Sequence, residues 1–221
     1  NGCTDPGRPV GLDTETTSLN PFQAELVGVG VAWGDGPGEL AYIPIGHHLP
    51  EQHPAQQSQA SGDIQELLKI PSGTSTESAP GGCTSVQPPQ QIQQLPLAAV
   101  LTALAPWLAS ASHPKALQNA KYDRLILLRH GLPLEGVVMD TMLADYLRDA
   151  GDKHGLDALA ERNFGFSPTS YSELVPKGAN FAAVAIDAAA LYCGMDVHLT
   201  WRLAQLLRRE LTAMGDALPE L

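Results

Sequence analysis

The chain has 221 residues, enough for one domain with a sizeable core, and carries 13 basic against 24 acidic side chains for a formal net charge of −11. That balance excludes a protein that grips duplex nucleic acid mainly through phosphate contacts, because such surfaces are basic. The three cysteines, Cys3, Cys83 and Cys193, are far apart with no CxxC spacing, which disfavours a disulfide framework or a zinc site and fits a reducing, intracellular compartment.

In chain order, Val10 to Glu15 and Leu26 to Trp33 read as strands, rich in valine and flanked by glycine and proline. A turn at Gly34-Asp35-Gly36-Pro37-Gly38 leads to a third strand, Ala41 to Ile45, whose Pro44 marks an edge or an end. The three make a β-meander. From 51 to 94 Gln, Ser, Pro, Gly and Thr dominate, with a short helical stretch at Ile64 to Leu68. Such a segment buries too little apolar surface to offset its ordering entropy, so a disordered insertion within the single domain 1–221 is expected. The remainder alternates. Helices are expected at Leu97 to Leu108, Tyr122 to Arg129, Thr141 to Leu147, Leu156 to Arg162 and Val184 to Leu211, with short strands at Ala116 to Asn119 and Val137 to Met139. Helices packed on a mixed sheet are the simplest α/β architecture for this order. No run of about 18 apolar residues marks a membrane span. The chain starts at Asn1 rather than Met, and no secretory leader is visible.

Asp13 and Glu15 stand two apart on the first strand and share one face of it, so both can grip one ion. Hard divalent cations such as Mg²⁺ take carboxylate oxygens, and no His or Cys cluster competes. Tyr192 and Asp196 stand four apart on the last helix and share a face of it. An acid on a helix that packs closely on the core needs its charge compensated, and a metal does so. Taken alone, each feature also has a plain reading. Asp13 and Glu15 are two surface acids at a strand end. Tyr192 and Asp196 are a surface hydrogen bond. Asp123 is an acid favoured by the dipole of a first helical turn, and Asn119 is a simple cap. Asp140 is read as the cap of the helix starting at Thr141, His47 and His48 as unconnected with metal, Trp107 and Trp201 as core, and Arg202, Arg208 and Arg209 as a solvated helix face. Lys177 is a possible phosphate contact.

The strings Leu12-Asp13-Thr14-Glu15-Thr16-Thr17-Ser18-Leu19, Gln118-Asn119-Ala120-Lys121-Tyr122-Asp123 and Tyr192-Cys193-Gly194-Met195-Asp196 together resemble the three exonuclease motifs of the DEDD superfamily. They are most similar to the 3′→5′ proofreading domain of family-A DNA polymerases, in its tyrosine subclass. Ala41 to His47, Met139 to Leu143 and Val175 to Gly178 resemble further family segments. The resemblance implies an RNase H-like fold and two Mg²⁺ or Mn²⁺ ions. It implies that Asp13, Glu15 and Asp196 hold one ion, that Asp13 and Asp123 contribute to the second, and that Tyr192 orients the attacking water. It further implies that Thr16, Leu19 and Asn119 contact the terminal nucleotides and that Tyr171, where the family often has Phe, stacks near the last base.

The expected function is metal-dependent removal of nucleotides from a single-stranded or frayed DNA 3′ end, in proofreading or repair, with a polymerase domain as a partner in the same longer chain and no membrane partner. An RNA-trimming exoribonuclease is the enzymatic alternative, distinguished by its treatment of the 2′-OH. A catalytically inert nucleic-acid-binding or docking module is the other. A source in the bacterial cytoplasm, a plastid or a mitochondrion fits equally.

Overall fold

The computed structural model of the protein describes residues 8–48 and 94–217. The segment read as an insertion, 51–94, lies outside them except for Gln94. Three strands form the expected meander: β1 (Val10–Thr16), β2 (Leu26–Ala32) and β3 (Leu40–Pro44), paired antiparallel. Pro44 sits at the end of an edge strand, where its missing N–H is harmless. After Gln94 follow α1 (Leu97–Leu108), β4 (Lys115–Leu117), α2 (Ala120–Arg129), β5 (Val137–Asp140), α3 (Thr141–Arg148), α4 (Leu156–Phe164), the short α5 (Tyr171–Leu174), a 3₁₀ turn at Phe181–Ala183 and the long α6 (Ile186–Ala217). β4 and β5 join parallel to β1, giving the order β3-β2-β1-β4-β5.

Period-two alternation on β1 divides the core. Leu12 packs with Val29, Leu108, Leu117, Ile126 and Leu127, so α1 and α2 cover one face. Gly11, Asp13 and Glu15 point to the other, where α6 crosses. Glycines permit that crossing. A methyl group on Gly11 would stand 2.7 Å from the Val197 carbonyl, and one on Gly30 would stand 2.4 Å from Cys193 Sγ. Further along, α6 packs Leu203 and Leu207 against Ala144 of α3 and Leu159 of α4. At 1.5 Å per residue α6 is about 48 Å long, enough to span the whole sheet.

Two expectations need correcting. Gln118 and Asn119 are not in β4, because Asn119 takes a left-handed conformation (φ 63, ψ 51) that turns the chain into α2. The arginines of α6 are not one solvated face. Arg202 lies over the Phe164 ring at 4.5 Å, Arg208 is half-buried, and Arg209 alone is exposed. Trp107 and Trp201 are half-buried and pack on the core as expected.

Two buried charges hold the layers together. Asp145 is fully buried and accepts hydrogen bonds from Arg148, Arg162 and His154 Nδ1, each at 2.6 Å. Burial alone would raise its carboxyl, but these donors and the arginine charges hold it below the ordinary value. Lys115 on β4 is also fully buried. Its ammonium donates to the carbonyls of Ser110 (3.2 Å), His113 (2.8 Å) and Glu135 (2.9 Å) and lies 4.8 Å from the Trp107 ring centre. Burial pushes its pKa down to about 8, and the Glu135 charge works against that shift. The three carbonyls and the ring also favour the charged form, because a neutral amine could not donate to all three acceptors. The ends flanking the undescribed segment are tied as well. The Gln94 amide accepts from the His47 N–H (2.6 Å) and donates to the His47 carbonyl (2.8 Å).

Lys115→Met keeps the apolar stem and leaves three carbonyls without their donor. The expected loss is about 2–4 kcal/mol of stability, read as a lower urea midpoint with an unchanged denaturant slope. An unchanged midpoint would show that the ammonium contributes no net stability there.

Candidate active site

Apart from Lys177, the fold brings every residue singled out as a site candidate to one cleft of about 540 Å³ at the carboxyl end of β1. Its lining includes Asp13, Glu15, Asp123, Tyr192 and Asp196, and also Thr16, Leu19, Asn119 and Tyr171. Lys177 does not line it and is exposed.

Asp13 and Glu15 face α6, and their cross-strand partners on β2 are Gly30 and Gly28, whose missing side chains make room for Cys193 and for the Tyr42 phenol beside the acids. The β1–β2 register shifts between Glu15 and Thr16, where Val27 is the extra residue on β2. Such a bulge re-aims the side chains beside it. Asp123 reaches the cleft from α2 on the opposite face of the sheet. It is 2% exposed, and its Oδ1 accepts from the Thr14 amide (3.0 Å) and hydroxyl (2.7 Å). One carboxylate oxygen thus anchors the helix to β1 and the other is left for the cleft. Tyr192 and Asp196 come from one face of α6, with the phenol beside the carboxylate.

Asn119 occupies the N-cap position of α2 but makes no side-chain cap bond. Asp140 replaces it. Its carboxylate accepts from the amides of Asn119 (3.1 Å) and Ala120 (2.9 Å) and also from those of Met142 (3.1 Å) and Leu143 (3.3 Å). One acid therefore caps two helices, the expected α3 and the unexpected α2. The Asn119 carboxamide is free for the cleft.

The loop after β1 is held firmly. Tyr122 donates to the Ser18 carbonyl at 2.5 Å and lies 2.5 Å from the Thr16 hydroxyl. Arg129 donates to the carbonyls of Pro21 (2.9 Å) and Ala24 (2.5 Å). The loop presents Leu19, 93% exposed, and Phe22, 71% exposed. Opposite it, Tyr171 stacks on Phe181 at 6.4 Å, and Phe181 in turn lies 5.8 Å from Tyr192. The fully buried Phe181 is a support that the motifs did not reveal. His47 has a structural role. Its Nδ1–H donates to the Val184 carbonyl (2.8 Å), so Nε2 accepts from the Tyr42 hydroxyl (2.6 Å). Burial lowers the His47 pKa, consistent with a neutral ring.

The electrostatics of the acids are distinctive. Burial pushes Asp13 up to about 6. Glu15 is raised well above the ordinary value, first by burial and then by the charges of Asp13, Asp196 and Asp123. Asp123 and Asp196 are raised by burial and then by Asp13. Among the described residues no cationic side chain offsets them. Glu15 is 7% exposed and its Oε1 has no hydrogen-bond partner. The Tyr192 phenol is raised by burial and by Asp196, Glu15 and Asp13, so it stays protonated. Sequence reasoning also missed Cys193, whose buried Sγ comes within 4.8 Å of a Glu15 carboxylate oxygen from the position after Tyr192 on α6.

A family model described as 3′–5′ exonuclease, the exonuclease domain of family-A DNA polymerases, matches residues 77–212, a stretch that carries Asp123, Tyr192 and Asp196. The DNA polymerase I of Synechocystis sp. is 37% identical over 220 residues, covering 99% of this chain and 18% of that protein. The DNA polymerase I of Rhizobium leguminosarum is 33% identical over 217 residues, covering 93% and 18%. The chain therefore spans about a fifth of the length of these curated relatives. Among solved structures, Brucella melitensis NrnC with bound Mg²⁺ superposes with a TM-score of 0.56 at 21% identity, covering 94% of this chain and 75% of that one. The polymerase domain of Pol1 from M. smegmatis, in complex with DNA primer-template and dNTP, gives 0.56 at 20% identity, covering 94% and 24%. The fold is RNase H-like. With more than half of its length matched by the family model, the chain belongs to the 3′–5′ exonuclease family of the family-A DNA polymerases.

Proposed function

We propose that this exonuclease acts on DNA, that Asp13, Glu15, Asp123 and Asp196 hold two divalent cations, and that the chain proofreads as part of a longer polymerase. The observation that carries the reading is the set of four carboxylates converging from β1, α2 and α6, Glu15 and Asp123 buried and Asp13 and Asp196 half-buried, with no cationic side chain beside them among the described residues. Such a group is strongly unfavourable unless something compensates it. The unpartnered Glu15 Oε1 and the all-oxygen acid set suit hard cations, Mg²⁺ or Mn²⁺. Asp13, Glu15 and Asp196 would hold the first ion, and Asp13 with the free oxygen of Asp123 the second. When bound, such ions activate a water and offset the charge that builds on the phosphate and leaving oxygen.

The chain's own residues do the rest. Tyr192 keeps its proton and donates a hydrogen bond, so it orients the attacking water or the phosphate rather than acting as a base. Leu19 and Tyr171 bracket the terminal base by apolar contact and stacking, which serves every base alike. Thr16 and the freed amide of Asn119 supply polar contacts to the terminal nucleotides. The DNA polymerase I relatives support a DNA substrate and an attached polymerase.

Three outcomes test this. A 3′-mismatched primer–template with Mg²⁺ or Mn²⁺ gives a ladder shortening from the 3′ end, abolished by EDTA and by Asp196→Ala. Equal digestion of a matched RNA strand would instead favour the trimming alternative. Tyr192→Phe lowers kcat by about a hundredfold, from misplaced attack geometry, while metal affinity holds. A comparable fall in metal affinity would overturn the positioning role. The third outcome concerns pH. Each of the four acids has a folded pKa above its unfolded one, so the folded state retains protons that the unfolded state releases. In EDTA, stability is therefore lost as pH rises from the ordinary carboxylate range through about 6 and beyond. The melting temperature falls between about pH 5 and pH 8, and saturating Mg²⁺ removes most of the fall. The Asp13→Asn/Asp123→Asn double variant flattens it without metal. A wild-type curve parallel to that of the double variant contradicts the linkage.

A further inference from the structure

The cleft contains one atom that a hard-cation site does not require. Cys193 Sγ and carboxylate oxygens of Asp13 and Glu15 all lie within 4.8 Å of one another. A cation at bond lengths of about 2.0–2.3 Å spans ligand separations of about 3.3–4.0 Å, so rotation of the two carboxylates toward the sulfur closes the remaining gap. Two features put the sulfur there. Cys193 follows Tyr192 on α6, one position round from the face that presents Tyr192 and Asp196. Its Sγ also occupies the space over Gly30, the cross-strand partner of Asp13, where a methyl group would come within 2.4 Å. The thiol is fully buried, so solvent does not compete for it. The orphaned Glu15 Oε1, on a side chain more than nine-tenths buried, points independently to a missing ligand at this place.

We propose that Asp13, Glu15 and Cys193 form a three-ligand site for thiophilic divalent cations, Zn²⁺ or Cd²⁺, which overlaps the position of the first catalytic ion and makes this nuclease sensitive to them. The inference rests on the ion-binding role proposed for Asp13 and Glu15. Sulfur adds nothing to Mg²⁺, which takes oxygen ligands at short, rigid distances. Softer cations gain from it. Binding breaks the Cys193 S–H bond and forms an S–metal bond, and the proton leaves to solvent. The cation then carries three anionic ligands and sits toward the sulfur. It fills the Asp13 and Glu15 oxygens that Mg²⁺ needs and accepts less of the substrate's phosphate.

The test uses the full chain with Cys3 and Cys83 replaced by serine, so that Cys193 is the only thiol. Cd²⁺ is titrated while the sulfur-to-cadmium charge-transfer absorption and the proton release are followed. Zn²⁺ inhibition is measured at fixed Mg²⁺. The expected result is a band that saturates at one equivalent, with one proton more released than by the Cys193→Ala variant, in which the band is absent. The ratio of half-inhibiting Zn²⁺ to half-activating Mg²⁺ rises about a hundredfold in that variant, because the one soft ligand is gone. Cys193→Ser, which keeps a hydrogen-bond donor beside Glu15, behaves like the alanine variant. No band in the single-thiol protein, or a Zn²⁺/Mg²⁺ ratio unmoved by both substitutions, overturns the site. Failure of the single-thiol protein to digest DNA with Mg²⁺ is a separate result. It would sink the proposed nuclease reading, while the cadmium band still decides whether the three ligands meet.

Discussion

Four carboxylates crowded at one strand end, two of them buried and two half-buried, are the constraint on which the rest of the structure depends. Burial raises the pKa of all four, and the Asp13 charge raises the other three further. A fold assembles such a group only if the surrounding elements are held by other forces. Here those forces are the two apolar layers on either face of β1, and the glycines that let α6 approach the strand closely. Asp123 ties α2 to β1 through Thr14, but the crowding of the four acids works against cohesion. The site is therefore held in place by a framework secured elsewhere.

The contrast with the other buried charges supports this. Asp145 has two arginines and a histidine. Lys115 has three carbonyls and an indole face. Asp140 collects four backbone amides. In each case the partners cover the charge, as burial requires. Asp13, Glu15 and Asp196 have no comparable set among the described residues, and Asp123 uses one oxygen on Thr14. The same chain that covers these three charges leaves Asp13, Glu15 and Asp196 uncovered and Asp123 only half covered, as expected of a functional site.

Where local chemistry decides, the sequence was legible. Period two on β1 placed Asp13 and Glu15 on one face, period 3.6 on α6 paired Tyr192 with Asp196, and Asp140 before Thr141 announced a cap. Where distant groups decide, it was not. Nothing local to Lys115 says that a lysine in a strand will find carbonyls from two loops. Nothing local to Asn119 says that Asp140 will take over its capping role and free its side chain in a left-handed backbone. Cys193 drew no role of its own beyond its lack of CxxC spacing, because its closeness to Glu15 depends on Gly30, far away in sequence. Arg202 looked solvated because its partner ring, Phe164, belongs to another helix.

The charge of the chain then sets how substrate is held. At −11 overall and with four acids in the cleft, the protein repels a polyanion until cations are in place. Lys177, the basic residue read as a phosphate contact, does not line the cleft. On the proposed reading, affinity comes from the bound ions and from the bases, through Leu19 on its pinned loop and Tyr171 stacked on Phe181. Stacking acts on unpaired bases, whereas a paired terminus keeps its bases in the duplex. A site that works in this way would take ends that are already frayed, which is the selection that removal of mismatched 3′ termini demands. The acidity that argued against duplex binding is thus consistent with the proposed function. A strongly basic cleft would hold paired and frayed ends alike, whereas a weak phosphate grip would let base pairing decide which strands are cut.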